Sequence, residues 1–97
     1  MIDEIVKKYS TEIKNNRNIK SILKHLKGEV KELDVEVEYV NDENEDGIVG
    51  ESIDIIACAL DMIFIHKPDI TIAEIDEIMI RKCEKWKKNY SETVYKD

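Results

Sequence analysis

Apolar residues recur through the first forty positions at steps of three and four. Ile2, Ile5, Val6, Tyr9 and Ile13 mark a short first helix, and the polar run Asn15, Asn16, Arg17, Asn18 interrupts it. Ile19, Ile22, Leu23, Leu26, Val30, Leu33, Val37 and Val40 then form one stripe, which only a helix places on a single side. The tail from Val35 to Val40 also alternates apolar and acidic residues as a strand does. A lone strand would have no partner in this chain, so the helix is expected to continue to a frayed end. Residues Asn41 to Gly50 (NDENEDGIVG) combine two glycines with a run of acids and predict a connection with solvated side chains. From about Ile48 to Ile65 the chain is apolar almost all round, as in a helix enclosed by others, and Pro68 ends it. Thr71 followed by Glu74 is a capping-box signature. Ile72, Ile75, Ile78, Met79, Cys83 and Trp86 supply the apolar face of a fourth helix behind it. The pattern predicts an all-α fold over 1–97, a single domain built as a compact bundle of about four helices.

Composition narrows this further. A chain of 97 residues has room for one core, and three glycines with one proline leave too few turn signals for a sandwich or barrel. The 22 acids outnumber the 15 bases, and the net charge of −7 argues against general affinity for nucleic acid or an anionic membrane. The longest apolar stretch, Ile55 to Ile65, is interrupted by Asp61 and is shorter than a membrane span. The N-terminal MIDEIVKKYS lacks the cationic start and apolar run of a signal peptide. Cys58 and Cys83 sit in apolar helical stretches without metal-ligand spacing and are expected as buried free thiols. A cytoplasmic protein is the expectation.

The acids are placed where solvation alone does not explain them. Glu29, Glu32 and Glu36 share one flank of the second helix, beside its apolar stripe. On the third helix Glu51, Asp54, Cys58, Asp61 and Ile65 follow one another at steps of three and four, so the acids form a line down an apolar cylinder. Acids at i and i+3 are common on solvated faces. An enclosed helix, however, cannot hold several ionised carboxylates without cations or donors. Oxygen ligands without His or Cys select hard cations, Mg²⁺ or Mn²⁺, and i, i+3 spacing lets two carboxylates of one helix reach one ion.

HLKGEVKEL (His25 to Leu33) and GESIDIIACAL (Gly50 to Leu60) together resemble the E-x-x-E, spacer, E-x-x-D signature of the MazG family of all-α nucleoside triphosphate pyrophosphohydrolases. The resemblance extends from about Ser21 through Lys82. It implies that Glu29, Glu32, Glu51 and Asp54 coordinate Mg²⁺. It also implies that a nucleoside or deoxynucleoside triphosphate is attacked by water at the α-phosphorus, and that pyrophosphate and a nucleoside monophosphate are released. Glu32 is the expected catalytic group that orients or deprotonates the water. Lys82, matching a lysine typical of the family's last helix, and Lys85 are the expected substrate-binding residues. The family is typically dimeric or tetrameric, which implies a homodimer or homotetramer assembled through helix packing.

The chain departs from the family at Gly28, where many members carry a second glutamate, and at Trp86 and Asn89, where asparagine and arginine are common. These departures leave an alternative, a catalytically silent MazG-like helical module for binding or regulation. His25, one turn before Glu29, is expected at the helix surface. Trp86 is expected in core or interface packing. Asn15, Asn16 and Asn18 suit either nucleobase recognition or a turn with an N-cap.

Overall fold

Each stretch of three-and-four spacing becomes one helix. The computed structural model describes residues 1–39 and 47–92, and within them lie α1 (Ile2–Glu12), α2 (Ile19–Tyr39), α3 (Gly47–His66) and α4 (Ile72–Glu92), with no strand among the described residues. The strand-like alternation from Val35 is helical as far as Tyr39; Val40 and the acidic segment 41–46 lie outside the described residues. α3 starts at Gly47 with φ of 53°, a left-handed backbone that favours glycine because it has no β-carbon to clash.

The asparagines resolve as turn and cap residues. Asn15 Oδ1 accepts from the Arg17 backbone N–H at 3.1 Å and from its guanidinium at 2.9 Å. Asn18 Oδ1 accepts from Ser21 N–H at 3.0 Å while Ser21 Oγ accepts from Asn18 N–H at 2.9 Å, a reciprocal cap that starts α2. At the head of α4 the expected capping box forms. Glu74 N–H donates to Thr71 Oγ1 at 3.1 Å, and Thr71 donates back to Glu74 Oε1.

α2 and α3 make the principal helix pair, α1 lies on α3, and α4 leans on α1. The core is built from Leu60, Phe64, Ile70 and Ile75, with Val6, Ile63 and Ile72 packed against them. Ile22 and Cys58 are buried between α2 and α3, where the Cys58 thiol points to the Ile22 carbonyl at 3.6 Å. This is an all-α bundle, but its fourth member is attached only by its first turns. Ile75 is buried, while Ile78, Met79, Cys83 and Trp86, expected to face the body, are exposed. Cys83 is therefore an exposed thiol, contrary to the sequence expectation, because α4 leaves the body before reaching it. α3 is likewise enclosed only in its C-terminal half, and Ile48, Val49 and Ile53 are open. No helix among the described residues is long and apolar enough to cross a membrane.

Candidate metal centre

Pairing α2 with α3 brings the two acidic flanks face to face. One carboxylate oxygen from each of Glu29, Glu51 and Asp54 lies within 4.8 Å of the others. Glu32, one turn beyond Glu29, is close enough to both Glu29 and Glu51 to share a proton with either. All four acids of the two i, i+3 pairs thus meet at one place.

The electrostatics of this cluster are unfavourable to four negative charges. Burial, then the charge and hydrogen bonding of Glu32 and the charge of Asp54, hold the Glu29 carboxyl above its ordinary value, with His25 pulling the other way. Glu51 is also raised, by burial first and then by Glu32, Asp54 and Glu29. Glu29 is only 13% exposed, and its Oε1 pairs with His25 Nε2 at 2.9 Å. Its Oε2 and Glu51 Oε2 are buried, and when all four groups are ionised neither has a donor. A buried carboxylate oxygen without a partner is costly, and a hard cation relieves both the missing ligand and the repulsion. The all-oxygen donor set fits Mg²⁺ or Mn²⁺. His25 is exposed as expected, yet it also touches the site through Glu29.

Beside the acids opens a cleft of about 470 Å³. Glu29 and Asp54 stand in its wall, and Ile5, Tyr9 and Ile13 of α1 face Ile53 and Ala57 of α3 across it. The α1 wall is tied to α3 by a network absent from the sequence expectations. Arg17 Nε donates to Asp61 Oδ2 and Nη2 to Asp61 Oδ1, both at 2.8 Å. Nη2 also donates to the Ser10 carbonyl at 2.9 Å, and Ser10 Oγ donates to Asp61 Oδ1 at 2.6 Å. The Arg17 guanidinium and the Ser10 hydroxyl hold the Asp61 carboxyl below its ordinary value against the opposing effect of burial. Asp61 belongs to the acidic line seen in the sequence, but it is satisfied by arginine. The only sequence signal for its partner was a single cation among asparagines.

Lys82 and Lys85 are exposed, and a single chain does not bring them to the acids. No α-carbon of α4 comes within 8 Å of one in α2 or α3, since the helix departs after Ile75. No protein-family model, no curated protein and no solved structure matches this chain.

Proposed function

We propose that the chain is a Mg²⁺-dependent nucleoside triphosphate pyrophosphohydrolase, with Mn²⁺ as a substitute, acting as a homodimer or homotetramer in the cytoplasm. The observation that carries this function is the pair of buried, donorless oxygens of Glu29 and Glu51 beside Asp54, in the wall of an apolar cleft. The resemblance of the two acidic motifs to the MazG signature supplies the reaction.

Glu29, Glu32, Glu51 and Asp54 would hold the cation, which when bound supplies the positive charge a triphosphate needs and lowers the pKa of water. Glu32 is exposed and is assigned the proton. In this step the oxygen of water bonds to the α-phosphorus and the bond from that phosphorus to the α–β bridging oxygen breaks. The water's proton passes to a Glu32 oxygen. Pyrophosphate and a nucleoside monophosphate leave. The cleft between α1 and α3 takes the less polar, nucleoside end of the substrate, with its depth set by Tyr9 and Ile13.

Pyrophosphate release from a panel of ribo- and deoxyribonucleoside triphosphates, with and without Mg²⁺, tests the proposal. Release that needs Mg²⁺ and is lost in Glu51→Gln supports it. The separation of Lys82 and Lys85 from the acids within one chain favours a second function, a silent helical binding module. Triphosphate binding without turnover across the panel would establish that function in place of hydrolysis.

A further inference from the structure

The segment of α4 beyond the core is built as if to be covered. Met79, Cys83, Trp86 and Tyr90 follow at steps of four, three and four, so they share one face. All four are exposed, Trp86 at 59%, and the Trp86 and Tyr90 rings stack edge to face at 5.6 Å. The same segment is strongly basic. Arg81, Lys82, Lys85, Lys87 and Lys88 oppose only Glu84, a net of +4 in a chain of net −7.

A matching surface lies on the α2–α3 pair. From Glu29 to Glu38, α2 carries five acids and one base, a net of −4, and α3 adds Glu51 and Asp54 beside it. Between these acids Val30, Val35 and Val37 of α2, and Ile48, Val49 and Ile53 of α3, are exposed. The two surfaces are complementary in charge, each has an apolar centre, and α4 does not approach α2 within its own chain.

The amount of open surface identifies the occupant. The chain exposes 8208 Å², whereas a compact chain of its mass exposes roughly 5,700 Å². Its radius of gyration is 15.7 Å, against about 12.5 Å for a compact domain of this length. The excess of about 2,500 Å² per chain, roughly 5,000 Å² for a pair, lies at the upper end of obligate homodimer interfaces. One copy holds both halves of the interface, and a two-fold axis uses each half twice.

We infer that the α4 segment from Met79 to Tyr90 docks on the α2–α3 pair of a second copy of this chain and delivers Lys82 and Lys85 to that copy's acidic centre. The apolar stripe anchors the arm, and the lysines supply the cations that the acids lack within one chain. The delivery rests on the function proposed above; the docking does not. In hydrolysis the lysines bind the phosphate oxygens whose charge the cation leaves unneutralised.

Two experiments on the full chain separate these parts. The first mixes ¹⁵N-labelled and unlabelled protein, couples amines to carboxylates with a zero-length carbodiimide, and maps the products by mass spectrometry, with light scattering for size. The expected result is a dimer or its multiple, with Lys82 or Lys85 of one isotope joined to Glu29, Glu32 or Glu51 of the other. A monomer, or an oligomer whose joints never link α4 to another copy's α2–α3 pair, overturns the inference. Trp86→Glu should dissociate the assembly without loss of helicity, since Trp86 has no place in the core; retention of full size would also overturn it. The second mixes Glu51→Gln protein with a Lys82→Ala/Lys85→Ala variant, each inactive alone. Random exchange makes half the dimers mixed, each with one complete centre, so about a quarter of the wild-type rate should return. No recovery from exchanged subunits places the lysines in their own chain's site and overturns the delivery. Cross-links in a wild-type protein that hydrolyses no triphosphate would uphold the docking and remove the hydrolase function.

Discussion

Glu51 shows how one residue can oppose folding and serve chemistry. Its carboxyl is raised above the ordinary value, so the unfolded chain loses this proton at lower pH than the folded one does. Without divalent cation, the contribution of Glu51 and Glu29 to stability is therefore highest in acid. It falls as pH rises from the ordinary glutamate value through the raised one. Glu51→Gln should raise the urea midpoint at neutral pH in the presence of EDTA, while lowering Mg²⁺-dependent turnover about 100-fold or more. A variant that is less stable and fully active would contradict both halves. Asp61 has the opposite sign. Its lowered pKa gives stability that is complete above the ordinary aspartate value and is lost as pH falls through the folded one. Arg17→Ala should cost about 3 kcal/mol in urea unfolding at neutral pH, because Asp61 would be left charged and largely buried. A loss under about 0.5 kcal/mol, the scale of an exposed pair, would show that the network carries little stability. The acids of the centre were legible in the sequence because i, i+3 spacing is a local property. Arg17 was not, because its partner lies 44 positions away and only packing brings them together.

At the scale of elements, helix identity was readable and helix environment was not. Periodicity placed all four helices, and the Thr71–Glu74 box marked the start of α4 correctly. An apolar face shows that a helix is covered but not by which chain. The same stripe on α4 accordingly holds Ile75 in the core and Trp86 in the open. These two halves should respond differently to truncation. Ile75→Ala should destabilise the chain by about 3 kcal/mol, as expected for a buried aliphatic side chain. Met79→Ala should leave the stability of a dissociated chain within about 0.5 kcal/mol and lower it only where copies associate. Urea titrations at low and high protein concentration distinguish the two, and equal losses at both positions at every concentration would place Met79 in the same core as Ile75.

For the whole molecule, charge and shape lead to the same function. A chain of net −7 needs a cation to receive a polyanion, and its buried carboxylate oxygens are gathered at one cation-sized place beside an apolar cleft. Fold class and the four acids could be read from 97 letters, whereas the cleft could not, because its α1 wall is held by the Arg17–Asp61 network. Phosphorus NMR of a nucleoside triphosphate incubated with the protein and Mg²⁺ tests the central claim most directly. The account predicts pyrophosphate and nucleoside monophosphate growing in equal amounts, with neither appearing in EDTA or with Glu51→Gln. Orthophosphate with nucleoside diphosphate, or unchanged triphosphate across all the common bases, would contradict it.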